Sequence, residues 1–324
     1  MALTGATTGQ VGYLKIEASA NQSVTGILPS KEHHPRYLYY YLRTLKRKIQ
    51  SDAFGGAQPH INQQYVKDIK IPLPSLDNQV RIAGILSRAE GLIEKRKKSV
   101  RLLDEFLKST FLEMFGDPVR NEKGWEKEEL IRFGKISTGN TPPRKNPENY
   151  SSKYIEWVKT DNILSDRIYV SIATEYLSAV GVEKGRIIDN GALLVACIAV
   201  SIDSIGRSAL TNRTIAFNQQ INAIQPNKEV NSQFLYVLFK ISKKYIQSHA
   251  AKGMKKILSK GDFVKIKMIK PPVSLQNEFA SIVDKIEAIK NKYQVSLEEL
   301  ERLYGSLSQR AFKGELDLSG INLE

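Results

Sequence analysis

One half of this chain repeats the other. Asn21 and Gln22 recur as Asn218 and Gln219, an offset of 197. The same offset joins Gly9 to Gly206, Pro29 to Pro226, Lys31 to Lys228 and Gly56 to Gly253. It carries Tyr37-Leu38-Tyr39 onto Phe234-Leu235-Tyr236, Ile49-Gln50-Ser51 onto Ile246-Gln247-Ser248, and Phe115 onto Phe312. A shift of one or two residues is expected between Tyr65 and Gln79, where Leu76 to Gln79 matches Leu275 to Glu278. Chance does not hold one register over such a span, so the chain is a tandem duplication, and its fold is two versions of one unit.

Each copy ends in a long amphipathic stretch. In residues 274–312 apolar side chains fall at Phe279, Ile282, Val283, Ile286, Ile289, Tyr293, Leu297, Leu300, Leu303, Tyr304 and Leu307. Steps of three and four put them on one helical face. The earlier copy, 75–115, carries Ile82, Ile85, Leu86, Ala89, Leu92, Ile93, Val100, Leu103, Phe106, Leu107, Phe111 and Met114. Helices of roughly 35 residues, about 50 Å long, are long for a globular core. Matching stripes predict that the two pair with each other as a coiled coil. Ser75 is placed to cap the first helix.

The rest of each copy is mixed. Short strands are expected at 1–4, 11–16 and 24–28, a helix over 35–51, a glycine-rich polar loop over 53–62 and a half-buried strand over 65–73. In the second copy strands are expected at 154–158, 186–188 and 192–198, then a helix over 231–248, a lysine-rich loop over 250–260 and a strand over 263–269. The fold class is therefore α/β (α+β), two tandem α/β domains each followed by a long helix. The divisions are 1–74, a partial first domain; 75–117, the first helix; 118–273, a complete second domain; 274–313, the second helix; and a tail, 314–324. Residues 1–74 have no counterpart of the segment from Trp125 to about Ala196. The first unit is therefore expected to leave strand 1–4 without sheet neighbours, to be the less stable half, and to read no half-site alone.

No catalytic constellation emerges. Gly5 and Gly9 are too close for a phosphate-binding loop, and Gln10 stands where its lysine would be. Asn146-Pro147-Glu148-Asn149-Tyr150 lacks the second proline of the amino-methyltransferase motif. Glu156, Lys159 and Asp161 do not have nuclease spacing. His33, His34, His60 and His249 lack metal-ligand spacing. Cys197 is the only cysteine, which excludes an internal disulfide and a zinc cluster. It lies in an apolar run and reads as a core residue. No run of 18 apolar residues suggests a membrane span, and a cytosolic protein is expected.

What remains is charge. The 324 residues carry a formal +14, which points to an anionic partner, nucleic acid first. DNA readers place Lys and Arg on phosphates, and Asn, Gln, Arg and Lys on base edges. Three loops fit: the first carries Thr141, Arg144 and Lys145; the second Lys159, Asp161 and Asn162; the third Lys252, Lys255, Lys256 and Lys260. The amide pair Asn218 with Gln219 serves equally well to read bases or to satisfy backbone groups, and Asn21 with Gln22 is its candidate counterpart in the first copy. A solvated loop is the alternative at each single position.

The chain resembles the specificity subunit of type I restriction-modification systems. The resemblance rests on Ile155-Glu156-Trp157 with Asp161-Asn162-Ile163, on Gly139-Asn140-Thr141-Pro142 before them, and on Asn218 and Gln219. It rests also on the Pro271-Pro272 stop, the openings of the long helices, the turn from Ala6 to Gly12 and the tandem repeat, so it covers nearly the entire chain. It implies target-recognition domains that bind double-stranded DNA, and helices that pair antiparallel as a ruler between half-sites. It also implies docking of methyltransferase (modification) subunits, a motor-endonuclease (restriction) subunit joining the complex, no cofactor and no catalysis by this chain. The shortened first copy adds the expectation of a self-dimer or a complementing fragment. A helical scaffold with incidental basic charge is the main rival, and an independent nuclease or methyltransferase the weaker one.

Overall fold

The computed structural model describes residues 1–55, 58–251 and 256–320. In chain order, α1 is Pro35–Thr44, α2 Lys46–Asp52, α3 Gln63–Asp68 and α4 Leu76–Phe115. Then come β1 Lys127–Glu129, β2 Gly134–Thr138, β3 Ile155–Val158, β4 Tyr176–Leu177, α5 Ala179–Lys184 and β5 Ile187–Ile188. Next are β6 Leu193–Ala196, β7 Ile198–Ala199, β8 Ser208–Leu210, β9 Ile215–Phe217 and β10 Ile221–Pro226. The chain closes with α6 Ser232–Ile241, α7 Lys243–Ser248, β11 Lys256–Ile257, α8 Lys260–Val264, β12 Lys267–Ile269 and α9 Val273–Lys313. Two compact units result, one of Met1–Arg101 with Lys290–Glu324 and one of Leu102–Ile289.

The 197 offset holds element by element. It carries the start of α1 onto α6, of α2 onto α7, of α3 onto α8 and of α4 onto α9. Asn62 caps α3 by accepting from Tyr65 N–H, and Ser259 caps α8 by accepting from Asp262 N–H. Gly9 and Gly206 both hold a left-handed backbone, φ 78° and 75°. The left-handed backbone calls for glycine in both copies, and at Gly9 a Cβ would also press on Ile49, while at Gly206 it would meet Ile246 only at ordinary contact distance.

The same offset pairs two buried amides, Gln79 and Gln276, that the expected alignment set apart. Gln79 Oε1 accepts from His34 N–H (2.8 Å), and its amide donates to the carbonyls of Glu32 (3.2 Å) and Pro74 (2.9 Å). Gln276 accepts from Asn231 N–H (2.9 Å) and donates to Glu229 O (3.2 Å) and Pro271 O (2.7 Å). Both are buried, at 1% and 0% exposure. The expected shift of register is thus corrected. Gln79 corresponds to Gln276, and the similarity of Leu76–Gln79 to Leu275–Glu278 is local and out of register.

Other expectations are also corrected. Residues 65–73 are no strand, because the Asn62 cap starts a helix at Gln63 whose Tyr65, Val66 and Ile69 turn onto a local core. In the second copy a helix fills the start of 263–269, and only Lys267–Ile269 is extended. Residues 11–16 form no strand. The long helices over 35–51 and 231–248 each break once, at Leu45 and at Ser242. The backbone of residues 1–4 is not orphaned. Met1 O accepts from Thr25 N–H (2.9 Å), Ala2 N–H bonds Gln10 O (2.9 Å), Leu3 N–H bonds Ser23 O (2.8 Å), and Leu3 O accepts from Ile61 N–H (2.9 Å). Loop backbone takes the place of sheet neighbours.

In the second unit, one antiparallel sheet runs β2-β10-β6-β8 and a mixed sheet runs β4-β3-β9-β5. Strand β6 is buried on both faces, and its side chains divide by the period of two. Leu193 and Val195 join α6 residues Phe234, Leu235, Leu238 and Phe239, with Phe111, Phe115 and Phe279 of the long helices. Leu194 and Ala196 join Val158, Ile215 and Phe217 of the mixed sheet. Cys197 is buried, and burial pushes its thiol up to about 12. In the first unit Tyr37, Tyr40, Ile82, Ala83, Leu86 and Ala311 make the equivalent core. Phe115 against Phe234 (4.9 Å between rings) has its counterpart in Phe312 against Tyr37 (5.4 Å).

Replacing Gln276 by Ala leaves Asn231 N–H, Glu229 O and Pro271 O without their partner. We expect a loss of about 2–3 kcal/mol, and a similar loss for Gln79→Ala, read as a lower urea midpoint. Unchanged midpoints in both variants would show that these amides do not hold the helix starts.

Candidate nucleic-acid interface

Strands β3 and β9 are parallel, with Trp157 opposite Ala216 and Val158 opposite Phe217. Their C-terminal ends therefore emerge side by side, and so do the loops that follow them. Asn218 N–H donates to Val158 O (3.0 Å). The loop after β2 joins them, since Gly139 N–H reaches Ile221 O (3.1 Å) and Asn140 N–H reaches Phe217 O (3.0 Å). A Cβ on Gly139 would collide with the carbonyls of Phe217 and Asn218, so only glycine lets this loop approach. Three loops, 139–145, 159–162 and 218–219, thus meet at one edge.

The candidate residues on them divide into two kinds. Asn162 is buried, and its Oδ1 accepts from Lys159 N–H (3.0 Å) while its amide donates to Ser171 Oγ (3.1 Å) and Ile172 O (3.2 Å). Asn218 accepts from Gln220 N–H (3.1 Å) and donates to Gln220 Oε1 (3.1 Å). Asn21 makes the same turn, accepting from Ser23 N–H (3.0 Å). These three shape loops. Gln219 is exposed and accepts from the Thr141 hydroxyl, and Gln22, Asp161 and Lys145 are exposed as well.

Arg144 and Lys159 are brought together. Arg144 lies over the rings of Tyr150 (5.1 Å) and Trp157 (5.2 Å), and the Lys159 ammonium lies 5.8 Å from the Trp157 ring centre. Tyr150 and Trp157 meet edge to face, and each is tied to the first loop: Tyr150 OH donates to Pro142 O (2.7 Å), Trp157 Nε1 to Asn140 O (3.2 Å). Both cations share one acid. Arg144 Nη2 is 2.6 Å from Glu175 Oε2, and Lys159 pairs with Glu175 Oε1. The hydrogen bond from Lys159, then that from Arg144, holds the Glu175 carboxyl below the usual range.

Lys260 is exposed at the start of α8, and no hydrogen bond or ion pair among the described residues ties it to this cluster. Lys256 lies in β11, which pairs with β7. Lys252 and Lys255 fall outside the described residues. The sequence did not point to Glu175 or Tyr150 as parts of this site, and it marked Trp157 only through the motif Ile155-Glu156-Trp157. Glu175 stands 31 residues from Arg144 and 16 from Lys159, and only the pairing of β3 with β4 (Glu156 opposite Tyr176) closes that gap.

Glu156 is spent on structure. Arg213 grips it through Nε and Nη2, both at 2.6 Å, and Ala173 N–H donates to it at 2.7 Å. Among the described residues no group of three or more His, Cys, Asp or Glu could hold a metal, and no helix is long and apolar enough to cross a membrane.

The model of the type I restriction modification DNA specificity domain matches residues 2–102 and 122–302. The MjaIX type I restriction enzyme specificity subunit of Methanocaldococcus jannaschii is 24% identical over 95% of this chain and 75% of its own length. The HindI specificity subunit of Haemophilus influenzae is 29% identical over 60% of this chain, a stretch that is 42% of its own length. In structure, the S subunit of a type I restriction-modification system from M. genitalium superposes with a TM-score of 0.59 at 16% identity, over 96% of this chain and 82% of that one.

The Glu156 carboxyl is held low, first by Arg213 and then by Ala173 N–H. Folding therefore favours its ionised form. The stabilisation is complete above the ordinary value of 4.5 and is lost as pH falls through the depressed one. Glu156→Gln removes that increment. We expect its stability to fall less steeply than the parent's below pH 4.5 in unfolding titrations, and parallel curves would contradict the assignment.

Proposed function

Because the chain belongs to the type I restriction modification DNA specificity domain family, we propose that its residues 118–273 bind double-stranded DNA through the three convergent loops. The chain is a specificity subunit, a DNA-recognition and not a catalytic component. Subunits of this class assemble with methyltransferase and restriction subunits. In our reading Arg144 and Lys159 reach base edges, and Thr141 and Gln219 bound the same surface. Lys145 and Lys260, with Lys252, Lys255 and Lys256, meet phosphates. Asn162, Asn218 and Asn21 act by holding loops in shape. Asp161 and Gln22 stand at exposed positions from which they would contact DNA.

The observation that carries this is the placing of Arg144 and Lys159 over Trp157, on loops that the parallel β3–β9 pair brings together. Each of these cations is held at the loop edge by an aromatic ring and by Glu175. The chain's +14 supplies the electrostatic attraction.

Residues 75–117 and 274–313 are proposed as an antiparallel coiled-coil spacer on which the methyltransferase subunits dock. Contacts inside each unit support the pairing. In the first, Ile82, Ala83 and Leu86 share a core with Tyr304, Leu307 and Ala311, and further along α4 Lys97 pairs with Glu301 (2.8 Å) and Arg96 covers Tyr293. Numbers rise on α4 as they fall on α9. In the second, Phe111 and Phe115 meet Phe279.

Selection of bound duplexes from a random pool tests the reading. Arg144→Ala or Lys159→Ala should relax preference at one position by about 1–3 kcal/mol. Lys260→Ala should weaken binding to all duplexes alike and lower the salt slope by about 1. Unchanged preference and slope in all three would favour a helical scaffold with incidental charge.

A further inference from the structure

We propose that Glu175 is a positioning residue for sequence readout, bracing Arg144 so that it meets a base edge and not a phosphate. The proposal rests on the DNA-reading role assigned above to Arg144. Glu175 is set by the sheet. It directly precedes β4, and its carbonyl accepts from Trp157 N–H (2.9 Å), so its backbone is tied to the strand that carries the aromatic platform. Its two carboxylate oxygens are divided between the two cations, Oε2 to Arg144 and Oε1 to Lys159.

A guanidinium has five N–H donors. The bond to Glu175 uses Nη2, and Arg144 keeps 58% of its side-chain surface exposed. The acid and the two rings therefore fix the guanidinium plane and leave donors for a ligand. Guanine offers O6 and N7 as an acceptor pair that fits such an edge. Without the brace, an arginine on a loop turns to the nearest anion, and along DNA that is a phosphate. The acid also adds a negative charge where phosphates approach, which lowers attraction to any sequence. Glu175 thus trades general affinity for discrimination, and it favours a base pair that presents guanine-type acceptors.

The experiment uses the full chain as Glu175→Gln and Glu175→Ala, with Arg144→Ala beside them. Affinities are measured across a salt series for a duplex of the selected sequence and for a scrambled one, with thermal unfolding as the folding control. In both Glu175 variants we expect the selected-to-scrambled ratio to fall roughly 5- to 150-fold. Scrambled-duplex affinity should rise, with a salt slope steeper by about 1. A purely structural role would lower both affinities together, and that result overturns the proposal, as does an unchanged ratio. If Arg144→Ala lowers the ratio while the Glu175 variants do not, the bracing role fails and the DNA-reading role stands. If Arg144→Ala leaves the ratio unchanged too, the reading role of Arg144 itself fails.

Discussion

Each long helix is fastened at its first turn by one buried amide. Gln276 ties α9 to the backbone at Glu229, Asn231 and Pro271, and Gln79 ties α4 to Glu32, His34 and Pro74. In each case the three partners are the residues just before a helix of the globular part and just before the long helix itself. The amide therefore fixes two helix starts relative to each other. In a buried setting such bonds are directional and costly to lose. The aromatic packing of the second unit, with Phe234 set against Phe111 and Phe115, follows from that fixed geometry.

The same frame carries the interface. Helix α6 packs on the sheet β2-β10-β6-β8, the other face of β6 packs on β3 and β9, and these two strands deliver their loops to one edge. Along this path each layer is buried before the next begins. The last layer is charged, and its two candidate reading cations are already paired inside the protein. Glu156 is gripped by Arg213 and Glu175 by Arg144 and Lys159. The loops enter an encounter with DNA already shaped, so the cost of ordering them is met largely in folding and not in binding.

The parts legible in the sequence are those set by local periodicity or by duplication. The apolar stripes marked both long helices to within about one residue, and the repeat marked their equivalence. The capped helices α3 and α8 were hidden, because five or six residues with two or three apolar positions fit a strand as well as a helix. The caps Asn62 and Ser259 were the available signal. The pair Gln79 and Gln276 was hidden by the displaced match of Leu76 to Gln79 with Leu275 to Glu278. The convergence of loops could not be read, because it depends on which strands pair. Parallel pairing of β3 with β9, 57 or more residues apart in the chain, leaves no local trace. Glu175 was missed for the same reason.

Hydrogen exchange of the full chain, with and without its selected duplex, tests the central claim most directly. DNA recognition by the second unit predicts slower exchange in 139–145, 157–162 and 217–220 with the selected duplex than with a scrambled one. Protection confined to α4 and α9, with those three segments unchanged, would contradict it.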